Sequence, residues 1–199
     1  MGEHQVSRRA VFLDRDGVLN YPVVHEGRPY PPATATEFKL YPDVAQGAAR
    51  LSNAGFLLVV VTNQPDVGRG TQSKATVRKI HRKLQDAIPQ IDRIEVCYHA
   101  GEGFGESCDC RKPKPGMLIR AAQESGIDLK ASYLVGDRWR DIDCARAAGC
   151  KSIFINREYA ERLRAKPDFT VASFTQAVDV VLSDVCPALH STQDETGGY

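Results

Sequence analysis

Long apolar runs are missing from this chain. None of its 199 residues belongs to a run approaching the roughly 18 apolar positions that a membrane-spanning helix requires. The stretch Met1 to Arg9 is polar and lacks the apolar segment of a secretory leader. A spanning helix is excluded on that count, and a cytoplasmic protein with no membrane partner is expected. Net charge is scarce too. Lys and Arg number 26 against 25 Asp and Glu, a formal charge of +1, too small for the field that draws proteins to nucleic acid or anionic membranes. The basic run Lys74, Arg78, Lys79, Arg82 and Lys83 falls on one side of a helical pattern with no aromatic residues among the cations. Base stacking has no platform there, so the run reads as a solvated face and nucleic acid is not expected as a partner. Internal repeats and low-complexity tracts are absent.

What is present is ordinary for a globular protein: 42% hydrophobic and 26% charged residues. The length suits one well-buried domain, expected over 1–186, with the polar stretch 187–199 as a disordered tail. The sequence does not reveal the oligomeric state; a monomer is favoured.

Short apolar runs alternate with helical patterns. Ala10 to Leu13, Phe56 to Val61, Arg93 to Tyr98, Tyr133 to Gly136, Ser152 to Ile155 and Phe169 to Val171 read as strands, the second unbroken and apolar as in a strand buried on both faces. Between them lie helices: one after the candidate cap Asp43 and stopped at Gly55, one over Ser73 to Ile88, one from Pro115 to Gly126, one over Arg140 to Ala148, and one near Thr175 to Leu182. Tyr21 to Phe38, with Pro22, Pro29, Pro31, Pro32 and Gly27, shows neither period and reads as a long loop, with His25, Arg28 and Tyr30 its polar candidates for substrate contact. The alternation predicts an α/β fold with a doubly wound, mostly parallel sheet. Ligands of such sheets bind beyond the carboxyl ends of the strands, and Asp14, Thr62 and Asp137 each follow or close a strand there.

Asp14 and Asp16 flank Arg15 at the end of the first buried run. Two carboxylates at that spacing need a cation or a shared proton, which suggests either a metal site or paired acid and base chemistry. Gly17 then permits a positive φ, so that backbone N–H groups can face an anion. A second cluster is Cys97-x-His99, eight intervening residues, and Cys108-x-Cys110. Three thiols and one imidazole in a glycine-rich loop form the four-ligand set of a closed structural zinc site. Cys144, Cys150 and Cys186 lie at element edges and read as buried thiols.

The strand followed by Asp14-Arg15-Asp16-Gly17 resembles the first signature of the haloacid dehalogenase superfamily of phosphatases. Thr62-Asn63-Gln64 resembles the second, Lys112 is similar to the basic member of the third, and Gly136-Asp137 with Asp141 resembles the fourth. The resemblance implies a phosphomonoesterase in which Asp14 is the nucleophile, forming an aspartyl-phosphate, and Asp16 is the general acid and base. Thr62 would hold phosphate oxygens, and magnesium would be held by Asp14, Asp137 and the Asp16 backbone carbonyl, with Asp141 an indirect ligand.

Asp14-Arg15-Asp16-Gly17, Thr62-Asn63-Gln64, Cys108-Asp109-Cys110-Arg111-Lys112-Pro113 and Val135-Gly136-Asp137 together resemble the small cap-less branch that includes heptose bisphosphate phosphatases and histidinol-phosphatase domains, and the continuation Pro115-Gly116-Met117-Leu118 resembles the heptose bisphosphate members. By that likeness the substrate is a small phosphorylated sugar, expected to be a heptose 1,7-bisphosphate that loses its 7-phosphate. Asn63, Gln64, Arg111 and Arg138 would contact it while Lys112 steadies the transferring group. Arg138 stands where lysine is usual, Pro65 follows Gln64, the cysteine loop is short, and Tyr21 to Phe38 does not reproduce the branch's substrate loop. Histidinol phosphate or another small phosphate is the rival substrate. A non-catalytic zinc-ordered binding module is the rival class, weakened because binding alone has no use for both Asp14 and Asp16.

Overall fold

The computed structural model describes residues 7–101, 103–104 and 108–185. Six strands form one sheet: β1 (Ala10–Leu13), β4 (Leu57–Asn63), β5 (Ile91–Cys97), β6 (Tyr133–Gly136), β7 (Lys151–Ile155) and β8 (Phe169–Val171). Their order is β5-β4-β1-β6-β7-β8, and every pairing is parallel. The chain winds from β1 out to β5, then returns to the far side of β1 and continues outward. The direction reverses at β1, which makes its carboxyl end the place where a crevice opens.

Alternation along the strands feeds two cores. Val11, Leu13, Leu58, Val60 and Val135 face α1 (Val44–Asn53), α3 (Lys74–Ala87) and α6 (Phe174–Val185). Phe12, Val59, Val61 and Leu134 face α4 (Gly116–Ser125) and α5 (Trp139–Ala148). The helix stops at Gly126 and Gly149 fall where expected, both in the left-handed conformation that glycine adopts without cost. Cys144 and Cys150 are buried; Cys186 and the tail 187–199 lie outside the described residues. Among the described residues no helix is long and apolar enough to cross a membrane.

Three local features differ from the sequence expectation. The stretch behind β1 contains an antiparallel hairpin, β2 (Val23–His25) and β3 (Arg28–Tyr30). Its two-residue turn places Glu26 and Gly27 at φ +50° and +71°, the left-handed pair that matches strand twist. Strands of three residues interrupted by Pro29 carry too little alternation to be read. A short helix, α2 (Pro65–Gly68), directly follows β4. Asp43 precedes α1 but makes no cap hydrogen bond to it; its Oδ2 instead accepts from the Thr175 N and Oγ1, both at 3.0 Å, at the start of α6.

Candidate active site

Three neighbouring strands, β1, β4 and β6, run into or close on polar residues at their carboxyl ends, and parallel register brings those ends together. The Asp14 N donates to the Val135 carbonyl at 2.9 Å, which extends the β1–β6 ladder one residue and fixes the height of Asp14 beside Asp137. Glycine is required between them. At Gly17, φ is +95° and a Cβ would fall 1.7 Å from an Asp137 carboxylate oxygen, so the turn after β1 can pass this close only without a side chain. Gly136 serves the other side, since a Cβ there would sit 2.1 Å from the Asp141 Cβ.

Lys112 joins the carboxylates. It is 2% exposed, and its Nζ lies 2.8 Å from an Asp14 oxygen and 2.6 Å from an Asp141 oxygen. Its backbone is fixed by Asn63, whose amide donates to the Lys112 carbonyl and accepts from the Lys112 N, both at 3.1 Å. Burial works against the ammonium, but the Asp14 and Asp141 charges outweigh it and hold Lys112 protonated above its usual range. Burial, together with the Asp141 and Asp16 charges and against the pull of Lys112, lifts Asp14 to about 6. Asp137 is driven well above the carboxylate range by burial and by the Asp14 and Asp141 charges.

The carboxylate oxygens of Asp14, Asp137 and Asp141 offer one donor each within 4.8 Å of one another. Both Asp137 oxygens are buried with no partner in full hydrogen-bond geometry, the Tyr159 hydroxyl being a neighbouring polar group that acts on them, whereas the Asp141 oxygens are engaged by Lys112 and by the Arg138 N at 3.1 Å. Crowded oxygen donors that include a buried, poorly satisfied carboxylate suit a hard divalent cation.

Asp16 is held from several sides. Its Oδ1 accepts from Arg15 Nε and Asn20 Nδ2 at 3.1 and 3.0 Å, and its Oδ2 from Arg15 Nη2 and Gln64 Nε2 at 2.8 and 2.9 Å. Gln64 is fully buried and also donates to the Thr62 Oγ1 at 2.8 Å. It therefore stands behind Asp16 and Thr62 and does not line the cleft.

A cleft of about 220 Å³ opens over this floor, with Asp14, Asp16, Thr62, Asn63, Lys112 and Asp141 at its base. Its walls include Arg28, Pro29 and Tyr30 of the hairpin, Asp66 and Arg69 behind β4, Arg111, Arg138 just ahead of α5 and Arg140 within it. Of the loop candidates, Arg28 and Tyr30 line it and His25 does not. Arg138 is less free than its position suggests: its guanidinium forks onto Glu161 and reaches the Pro29 carbonyl at 3.5 Å, tying α5 to the hairpin and to the segment behind β7. Arg69, Arg140 and Glu161 carry no motif in the sequence and were not anticipated.

The cysteine cluster is assembled. Cys97, at the end of β5, lies 3.4 Å from the His99 Nδ1 and 3.7 Å from the Cys108 sulfur, and Cys110 lies 3.3 Å from the same nitrogen. A tetrahedral site with metal bonds of about 2.3 Å to sulfur and 2.0–2.1 Å to nitrogen has edges of roughly 3.6–3.8 Å, close to these separations. The donors fit zinc. Arg111, next to this cluster, donates to the His99 carbonyl at 3.4 Å, so the loop also aims a residue of the cleft wall.

The HAD-hydrolase-like family model matches residues 109–177. The D-glycero-beta-D-manno-heptose-1,7-bisphosphate 7-phosphatase of Pseudomonas aeruginosa is 34% identical over 166 residues, covering 81% of this chain and 89% of the relative. This chain belongs to the heptose bisphosphate phosphatase family of HAD-like hydrolases. A further member, from Thermosynechococcus vestitus, is 32% identical over 199 residues, covering 90% of this chain and 98% of the relative. The crystal structure of D,D-heptose 1,7-bisphosphate phosphatase from B. bronchiseptica, complexed with magnesium and phosphate, is similar with a TM-score of 0.76 and 30% identity, covering 88% of this chain and 99% of that one. The fold and the phosphatase class expected from the strand-end motifs are those of this family.

Proposed function

We propose that this phosphatase removes the 7-phosphate of D-glycero-D-manno-heptose 1,7-bisphosphate through an aspartyl-phosphate on Asp14. The observation that carries the reading is the buried assembly of Asp14, Asp141 and Lys112 at the foot of an arginine-walled cleft. In the first half-reaction an Asp14 oxygen attacks phosphorus. The bond from phosphorus to the sugar oxygen breaks with its electron pair, and Asp16 gives that oxygen a proton, releasing the alcohol. Water then attacks the phosphorus and passes a proton to Asp16; the bond to Asp14 breaks, freeing inorganic phosphate and the carboxylate. Lys112 and the Thr62 hydroxyl hold the phosphoryl oxygens, while Gln64 keeps Thr62 and Asp16 in register.

Magnesium belongs to this reading. Asp14, Asp137 and the Asp16 backbone carbonyl would hold it, and it would supply positive charge to the transferring phosphoryl group. Arg111, joined by Arg28, Arg69 and Arg140 on the cleft walls, suits the second phosphate of a bisphosphate through planar, always-charged forks. Arg138, neutralised by Glu161, acts on the wall itself. Zinc on Cys97, His99, Cys108 and Cys110 orders the loop that aims Arg111; burial pushes the Cys97 thiol up to about 12, so a thiolate there depends on a cation.

Initial rates on the two anomers of the heptose bisphosphate beside histidinol phosphate test the substrate. A preference for the bisphosphate of at least a hundredfold in kcat/KM is expected; equal or better turnover of histidinol phosphate refutes the substrate. Metal analysis of the purified protein is expected to give one zinc per chain, and its absence refutes the zinc site.

A further inference from the structure

The least expected contact near the cleft lies beneath it. Arg15 is fully buried, and a buried guanidinium needs every face of its fork satisfied. One face goes to Asp16. The other, Nη1, lies 3.0 Å from the Nε2 of His81. His81 comes from α3, where it is 7% exposed on the stripe otherwise made by Val77, Ile80 and Leu84. Burial and the neighbouring Arg15 charge hold its imidazole down to about 4. Nε2 is therefore a lone-pair acceptor, and the contact is a hydrogen bond from the guanidinium to a neutral ring.

We infer that His81 is a positioning residue for Asp16, acting through Arg15. The two hydrogen-bonded links, 66 and 1 residues apart in sequence, run from α3 to the carboxylate. Two ends fix the guanidinium plane where one end leaves it free to rotate, and the plane sets where the Asp16 oxygens point. Asn20 and Gln64 each fix one oxygen, but only Arg15 spans both. The inference rests on the proposed role of Asp16 as proton donor to the leaving oxygen, because that role needs accurate placement.

The test compares substrates that need a proton donor with one that does not. An alkyl phosphate leaves as a strongly basic alkoxide unless protonated, whereas 4-nitrophenyl phosphate leaves as a stable anion. kcat/KM covers the steps through loss of the leaving group, which isolates the donor role from the later hydrolysis. His81→Leu removes the acceptor, His81→Gln puts an amide oxygen near the Nε2 position, and His81→Asn keeps polarity but draws it back toward Nδ1. We expect His81→Leu and His81→Asn to lose about tenfold to a hundredfold in kcat/KM on the alkyl phosphate and less than threefold on the aryl ester, with His81→Gln restoring most of the loss. Should the leucine variant not fold, the asparagine and glutamine pair carries the same comparison. An equal loss on both substrates, no loss on either, or no rescue by glutamine overturns the inference. The Asp16→Asn variant separates the two levels. If it spares the alkyl phosphate, the donor role itself fails; if it is selective while the His81 variants are not, only the part given to His81 fails.

Discussion

Replacing Asp14 should make the metal-free protein more stable. Burial and the charges of Asp141 and Asp16 raise Asp14 from 3.8 to about 6 despite Lys112. Between those values the folded state binds the proton more tightly than the unfolded chain, so stability falls as pH rises through the window, and above about 6 the full penalty applies. The shift corresponds to roughly 3 kcal/mol. In Asp14→Asn a neutral amide stands in for the protonated acid and the penalty disappears. The variant should therefore gain roughly 2–3 kcal/mol at pH 8 in the presence of a chelator, or roughly 4–12 °C in midpoint for a chain of this size, and gain almost nothing at pH 4. Magnesium should reverse the order by stabilising the native protein more than the variant. Thermal and urea unfolding at both pH values, with chelator and with magnesium, measure all of this. A variant no more stable than the native protein at pH 8, or one whose advantage persists unchanged at pH 4, refutes the charge crowding on which the site is built.

Other perturbations follow from the same contacts. His81 is held down to about 4 against an ordinary 6.5, so the unfolded chain binds the extra proton between those values; its contribution is fully present above 6.5 and lost as pH falls toward 4, roughly 3 kcal/mol in all. Urea unfolding of His81→Gln should show a correspondingly shallower loss across that window. In Gly136→Ala the new methyl meets the Asp141 Cβ at 2.1 Å, and displacing Asp141 from Lys112 should cut turnover of 4-nitrophenyl phosphate at least a hundredfold with a stability cost of about 1–3 kcal/mol by denaturant titration. Asp43→Ala removes the acceptor for Thr175 at the start of α6, and should cost about 1 kcal/mol while leaving kcat/KM on the same ester unchanged.

The central strands were legible because burial on both faces leaves a continuous apolar run, and Ala10 to Leu13 and Leu57 to Val61 are such runs. Each breaks into polar residues where the sheet opens, so the positions of Asp14, Thr62 and Asp137 could be read from local sequence. The cysteine cluster was legible for a related reason, since its ligands sit in two close pairs. What escaped notice depends on long-range contact. Glu161 pairs with Arg138 from 23 residues away, a partner that nothing in the sequence around Asp137 announces. Gln64 looks like its neighbour Asn63 in sequence, yet Asn63 closes β4 and borders the cleft while Gln64, one residue past the strand, is buried. His81 left the one signal that could have been used, a polar residue within the apolar stripe of α3. The hairpin over 23–30 was hidden because three-residue strands gain their stability from the surfaces they pack on and show little pattern of their own.

The most direct test of the account is to trap the covalent species on Asp14. Protein mixed with excess substrate and magnesium is quenched in acid within the first turnovers and reduced with borohydride, which converts an acyl phosphate to an alcohol, and the peptide spanning Ala10 to Asn20 is examined by mass spectrometry. Homoserine at position 14, dependent on substrate and absent in Asp14→Asn, is the predicted result. An unmodified Asp14 under turnover, or a reduced carboxyl at another position, contradicts the account.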